Sequence, residues 1–300
     1  MDTNNDVPRM VESSDFCDPL NGTVKWSATK SIWLTTMYLS FIIGGYFTFS
    51  IENVAVFIIC TAVTLCLGHS LGMHRRFIHN SYETHAGIEY LFVHFGVLVG
   101  MAGPFGMMHQ HDLRDWAQRK KQCHDYLKHG KGFWHDGWWQ LHCEITLDNP
   151  PTFTPEPRVA NDKVYHWMEK YWMWQQLPWA ILLGVIGGLP WVIWGICARV
   201  AVSVTGHWLI GYFAHNKGQR DWHLDGAAVQ GHNIMFAGLI TMGECWHNNH
   251  HAFPGSAKLG HKFWQLDPGW WVLCTMKWLD LAWDIKTPQD MPHRAELVTI

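Results

Sequence analysis

Charge is scarce in this chain: Asp, Glu, Lys and Arg make up 16% of its 300 residues, 22 of them basic and 25 acidic. That near balance removes the bulk positive field on which nucleic-acid binding draws. Cysteine occurs eight times but never as C-x-x-C. The spacing argues against a disulfide framework and a zinc ribbon, and fits a reducing compartment. Residues 1–29 lack a basic stretch followed by an apolar core, so they do not read as a secretory signal. They are polar and expected to form a partly disordered tail. No internal repeat or low-complexity tract is present. What the chain has in excess is 20 Trp and 21 His.

Long uncharged runs come next. Residues 31–50 carry no formal charge, and Glu52-Asn53 separates them from a second apolar run ending at Gly68. A span needs ~20 apolar residues. Another apolar block covers 177–197, with Gly187-Gly188-Leu189-Pro190 as its expected turn, and returns over 200–214. The expected fold class is therefore all-α and integral to a membrane. It has two hairpins, with spans at about 31–50, 53–68, 177–189 and 191–214. A helical cap over 69–176 and 215–286 and a C-terminal tail over 287–300 complete it. Lys and Arg are absent from the first hairpin's tip, whereas eleven lie between Gly68 and Leu177 and seven follow Ala214. The positive-inside rule then puts both termini and the cap in the cytoplasm. Arg199, inside an apolar run, reads as a turn or a snorkelling position. Ile88 to Met108 is apolar but holds Glu89 and His94, and reads as an interfacial or buried helix. The proline-rich stretch 149–157 reads as a loop, and 162–176 as an amphipathic surface helix.

Nineteen of the 21 histidines fall between His69 and His142 or between His207 and His261, each window following an apolar hairpin. The densest run is Glu244-Cys245-Trp246-His247-Asn248-Asn249-His250-His251. Spacing of i, i+3 and i+4 puts its three imidazoles on one side of a helix. Each neutral ring carries a donor and an acceptor that need partners, and imidazole is the commonest transition-metal ligand. His74 and His79 are five apart, about 140° around an ideal helix. That spacing suits two ions, or one ion at a helix terminus. His111, His124 and His215 add further imidazoles. Four ligands close a tetrahedral zinc site, so a set of about eight points to two metals.

These motifs resemble the membrane fatty acid desaturases, the acyl-CoA Δ9 (stearoyl-CoA-like) branch above all, over roughly residues 30–285. The strongest part is Gly243-Glu244-x-x-His247-Asn248-x-His250-His251-Ala252-Phe253-Pro254. The resemblance implies a four-span membrane body with a cytosolic cap and two histidine-bound irons. It implies an enzyme that uses dioxygen and two electrons to put a double bond, at Δ9, into a long-chain acyl substrate such as acyl-CoA. His74 and His79 match the first histidine box, His247, His250 and His251 the third, and His215 the additional ligand. Gly211 falls where the family has a water-binding Asn. The middle box departs from the pattern: Lys120, Cys123 and His124 stand where His-x-x-His-His is expected, so only His124 matches. His111, or a carboxylate of Asp112 or Asp115, is the expected substitute, and His69 and His207 are spare imidazoles nearby. The expected metal ligands are therefore His74, His79, His111, His124, His215, His247, His250 and His251. Glu244 is placed to orient a ligand ring. Arg75, Arg76, Arg119, Lys120 and Lys121 are available to an anionic headgroup.

Acid–base chemistry by side chains has no purchase on an unactivated methylene in the middle of a fatty acyl group, so a metal must supply the oxidant. An apolar tunnel lined by Trp, Phe and Met is expected to set the position of the double bond. Since no haem or iron–sulfur motif is visible, electrons are expected from a separate ferredoxin or cytochrome b5-like protein. Two other readings of the residues are a histidine-box hydroxylase of alkyl chains, sterols or carotenoids, and a non-enzymatic zinc- or copper-binding membrane protein. The latter calls for ionisable groups along the spans, whereas here they lie mainly beyond the hairpins.

Overall fold

A computed structural model describes residues 8–13 and 16–300. It is mostly helical. Helix α1 (Ala28–Phe47) starts at Ser27, whose Oγ accepts from the Lys30 N–H. Helix α2 (Ile51–Val63) starts at Ser50, whose Oγ accepts from the Asn53 N–H at 3.1 Å. Each cap satisfies an amide left free by the first helical turn. Helix α2 then runs on through a π-helical segment, Thr64–Ile78, so that Ile51–Ile78 is one apolar helix long enough to cross a bilayer. Gln176–Asn216 is a second. It contains α8 (Gln176–Val192), a π-helical segment Ile193–Ala198 and α9 (Arg199–Asn216). Gly188 interrupts α8 with φ 68, inside the expected turn. The chain doubles back there, because a Cβ on Gly195 would lie 2.6 Å from Leu183 Cδ1. Helix α1 closes on the same segment, with Phe41 edge-on to Trp194 at 5.5 Å. Ile42, Ile58, Ile59, Val185 and Ile186 point outward from these helices, a surface that calls for an apolar surrounding.

Arg199 neither marks a turn nor snorkels. Its buried guanidinium donates to the carbonyls of Gly195 and Leu98 and to Gln176 Oε1, fastening α8 and α9 to the end of α3 (Ala86–Val97). Helix α3, only ~18 Å long at 1.5 Å per residue, lies against the π-helical segment of α2. A Cβ on Gly68 or Gly72 would sit 2.3 or 2.4 Å from the backbone of Phe95 or Phe92, so both positions demand glycine for this close approach. Its Glu89 is buried and receives Arg76 at 2.8 Å, Arg158 at 2.5 Å and the Tyr165 hydroxyl at 2.5 Å. Arg75 is buried too, donating to Asp267 Oδ1 and to the Ala257 carbonyl at 2.7 Å each. Neither Arg75 nor Arg76 therefore faces a headgroup, since internal carboxylates claim both.

The remaining helices build the cap: α4 (Pro104–Arg119), α5 (Phe133–His142), a single turn α6 (Pro157–Ala160), α7 (Lys163–Lys170), α10 (His247–Ala252) and α11 (Pro268–Trp278). Four two-stranded antiparallel ladders staple it, an addition to the all-α expectation. They pair β1 (Met10–Val11) with β5 (Thr152–Phe153), and β2 (Asp18–Trp26) with β4 (Cys143–Asn149). They also pair β3 (Glu83–Thr84) with β7 (Ala282–Trp283), and β6 (Trp222–Leu224) with β8 (Leu297–Thr299). The N-terminal stretch expected to be partly disordered thus supplies β1 and β2, because Met10 and Val24 pack on a buried cluster around Trp116, Tyr126 and Leu127. Residues 1–7 and 14–15 of that stretch lie outside the described residues. The C-terminal stretch is tied down as well: Arg294 donates to the His251 carbonyl at 3.1 Å.

Candidate metal centre

Helix α10 is one and a half turns long, and its histidines diverge. His250 joins His74, His79 and His111, whereas His247 and His251 join His215. In each group the ligand atoms all lie within 4.8 Å of one another. The groups adjoin, with the His247 and His250 rings 5.8 Å apart. Seven of the eight sequence-expected ligands are thereby gathered into two sites, and the i, i+3, i+4 run serves both rather than one.

His74 and His79 meet because their helix is not an α-helix. The His79 N–H donates to the His74 carbonyl at 3.0 Å, a five-residue spacing that widens the turn and brings both rings to one side. Their ring centroids are 4.8 Å apart, and His79 also caps the helix terminus. His124 is the exception. Its backbone N–H donates to the Pro19 carbonyl at 2.8 Å, its Nδ1 accepts from the Tyr126 N–H at 3.1 Å, and its ring stacks on Trp139. The 120–130 loop is anchored to strand β2 and carries this imidazole away from both groups. Lys120 is drawn off likewise, to Glu12.

The outer nitrogens settle which lone pairs face inward. His215 Nδ1 is 2.7 Å from the Gly211 carbonyl, which can only accept, so its Nε2 is left as an acceptor 3.0 Å from His247 Nε2. His251 Nε2 is 3.0 Å from the same atom. His111 Nδ1 faces Asp112 Oδ1 at 3.1 Å and its Nε2 faces His79 Nε2 at 3.2 Å. His74 Nδ1 lies 2.6 Å from Glu244 Oε2, and His250 Nδ1 is buried without a hydrogen-bond partner. Three converging Nε2 atoms and an orphaned ring nitrogen fit cations, which imidazole lone pairs satisfy and hydrogen bonds among neutral rings do not.

Burial, reinforced by neighbouring rings, drives the pKa of His247, His250 and His251 well below the ordinary imidazole value. These rings are neutral, hence ready to ligate, at neutral pH. Burial acts the same way on His111, but Asp115 and Asp112 together outweigh it and leave that pKa raised. Burial would raise Glu244, yet His74, Arg75 and His69 together hold it below the usual carboxylate range.

Some supporting residues carried little sequence signal. Asn248 and Asn249 are buried and lock α10 in place. Asn248 Oδ1 accepts from the N–H groups of Asp221 and Trp222, and Asn249 Nδ2 donates to the Leu259 carbonyl and Gln265 Oε1. Their place inside a histidine run is the only sequence hint of that role. His129 is buried beside the second group: it stacks on His215 at 5.4 Å and pairs with Asp136 at 2.9 Å. Its ring fills the space beside Gly211, where a Cβ would come within 3.1 Å of Nε2. His69 and His207 pack edge-on at 4.9 Å, behind His74, outside both groups.

No protein-family model matches the sequence. Among curated proteins it is 32% identical to the sn-1 stearoyl-lipid 9-desaturase of Anabaena variabilis over 263 residues, 85% of this chain and 93% of that protein. It is 29% identical to the sn-2 palmitoyl-lipid 9-desaturase of Nostoc sp. (strain 36), over 83% of this chain and 86% of that one. It is 28% identical to the acyl-CoA C20 Delta5-desaturase of Anemone leveillei, over 82% and 78%.

Proposed function

Since the chain belongs to the fatty acid desaturases, which are oxidoreductases, we propose that it introduces a double bond at Δ9 of a long-chain acyl group at a di-iron centre. The observation that carries this is the pair of adjoining imidazole groups, His74, His79, His111 and His250 beside His215, His247 and His251. The reaction consumes dioxygen, two electrons and two protons, turns a CH2–CH2 unit into CH=CH and yields two waters. When bound, iron would supply the oxidant that an unactivated C–H bond requires.

The protein's own residues hold, orient and shield. Two sets of imidazoles favour a redox-active first-row metal over calcium or magnesium, which prefer oxygen ligands. Glu244, Asp112 and the Gly211 carbonyl fix the rings of His74, His111 and His215 through the nitrogen not offered to metal. Such outer partners fix ring orientation and raise ligand basicity. Trp246, 2% exposed and just before α10, and Ala252, 1% exposed and its last residue, are packed away from bulk water at the two ends of the helix. Four spans with the cap in the cytoplasm put both groups at the cytoplasmic ends of α2 and α9, within reach of a separate electron donor.

Expression in a desaturase-deficient host, with double bonds located by mass spectrometry, tests this reading. A new Δ9 monounsaturated acid that disappears with His247→Ala supports it. The named relatives divide between lipid-linked and CoA-linked substrates, and we assign acyl-CoA as the carrier. A short labelling pulse in which the new acid shows up in acyl-CoA before membrane lipid supports that assignment. Oxygen retained in the product would indicate a hydroxylase instead.

A further inference from the structure

Between Asp225 and Glu244 the chain carries no Asp, Glu, Lys or Arg, and residues 226–243 form no helix or strand. This uncharged loop belongs to the cap, yet it is held at the level where the two long apolar helices end. Ala237 shares a buried cluster with Trp246, against which Ile210 of α9 packs. On the other side the Met242 carbonyl accepts from Ser70 Oγ at 3.3 Å, two residues beyond Gly68, where the second apolar run ends. A second loop lies directly on the first. A Cβ on Gly238 would stand 2.4 Å from the Leu266 carbonyl oxygen, and the Trp246 indole donates to that same oxygen at 2.8 Å. Just beyond it, Trp270 and Val272 of α11 pack with Leu67 of the π-helical segment.

The outer side of these two loops is apolar. Phe236 is 96% exposed, Ile240 72% and Phe263 93%, and Leu239 and Trp264 are exposed as well. Phe236 holds φ 67, a left-handed backbone that a bulky residue rarely adopts. In water that display is unfavourable twice over, through the backbone and through the bare ring. Apolar patches of this kind mark a partner. The rim says which one. Lys262 Nζ stands 5.5 Å over the Trp264 ring, while also pairing with Asp221 at 2.7 Å, and Lys258 Nζ stands 5.9 Å over Trp270. An apolar tip edged by Trp and Lys suits a bilayer surface, with the rings at headgroup depth and the ammonium groups near phosphate. The patch also adjoins the ends of the helices whose own outward residues call for an apolar surrounding.

We propose that the cap carries a membrane anchor of its own: Phe236, Leu239, Ile240, Phe263 and Trp264 insert into the lipid leaflet on the cap's side, beside the two long helices. The inference rests on the reading of those helices as membrane spans. Insertion ties α10 to the bilayer as well, because Trp246, which grips the Leu266 carbonyl, directly precedes His247.

The test uses the full-length protein in phosphatidylcholine vesicles containing a lipid-soluble diazirine. Photolysis attaches the probe to side chains that face hydrocarbon, and peptide mass spectrometry locates it. Ile58 and Ile59 on α2 are the lipid reference, and Phe16, 79% exposed on the N-terminal segment, is the aqueous one. Phe236, Ile240 and Phe263 should be labelled as heavily as Ile58 and Ile59, with Phe16 unlabelled. Labelling of the patch no higher than at Phe16 would overturn the proposal and leave the surface to a second copy or a soluble protein. Ile58 and Ile59 without label would defeat the membrane reading itself, which separates the two failures.

Discussion

The backbone N–H of His79 donates to the carbonyl of His74 at 3.0 Å, five residues back, and so two rings that an α-helix would splay apart stand 4.8 Å apart in one imidazole group. On its other flank the widened helix carries α3 directly on Gly68 and Gly72. Gly72→Ala should therefore act on the metal site from a distance. A Cβ 2.4 Å from the Phe92 backbone costs about 1–3 kcal/mol of stability as overpacking. Iron per protein in the folded fraction should fall with the shift of His74. A variant with wild-type thermal stability and iron content would contradict this packing account.

Histidines one residue apart on α10 serve different sites. His250→Ala and His251→Ala should each lose one metal and leave the other, which metal analysis with Co(II) would show as two distinct residual visible spectra. The same residual spectrum from both variants would mean that the two groups are not separate.

Glu244→Gln keeps the size of the side chain but removes the negative charge beside His74 Nδ1 and its ion pair with Arg75. Loss of such an outer partner typically costs ~10–100-fold in metal affinity or activity. The expected result is a fall of that order in product, with partial recovery at high iron supply. Full activity at limiting iron would remove Glu244 from the ligand-orienting role.

Arg199→Met should destabilise the membrane body without emptying the metal groups. It removes the donor to buried Gln176 Oε1 and one donor each from the Gly195 and Leu98 carbonyls, the latter keeping Gln176 Nε2 at 2.9 Å, and a buried group left unsatisfied costs about 1–3 kcal/mol. Thermal unfolding in detergent should shift down while iron per folded protein stays at the wild-type level. A drop in iron at unchanged stability would reverse the assignment.

His261 links stability to pH. Burial lowers its pKa from the ordinary 6.5 to about 4, so the unfolded state binds the proton more readily. Its contribution to stability is complete above pH 6.5 and declines as pH falls from there towards 4. The melting temperature of metal-free protein should drop between pH 7.5 and 5.0, and less so in His261→Gln. Equal slopes for the two proteins would show that this ring carries no part of the dependence.

Much of this was legible in the sequence itself. Uncharged runs broken at Glu52-Asn53 and at Gly187-Gly188-Leu189-Pro190 give the paired apolar helices, because period, length and turn residues are local properties. The imidazole excess points to metal ligation, because each neutral ring carries a donor and an acceptor that need partners. The Gly243–Pro254 run gives the family. What lay beyond the sequence was which residues meet. His124 keeps the box spacing, yet Pro19 and Tyr126 hold its loop away, while His111, off the expected register, comes to 3.2 Å from His79. Arg75 and Arg76 read as available to an anionic headgroup and Arg199 as a turn or snorkelling position, and only the packed structure supplies the Asp267, Glu89 and Leu98 partners that hold them inside. Local sequence sets helix, turn and ligand chemistry; distances between segments far apart in the chain depend on packing, as where α3 lies directly on Gly68 and Gly72 of the π-helical segment that carries His74.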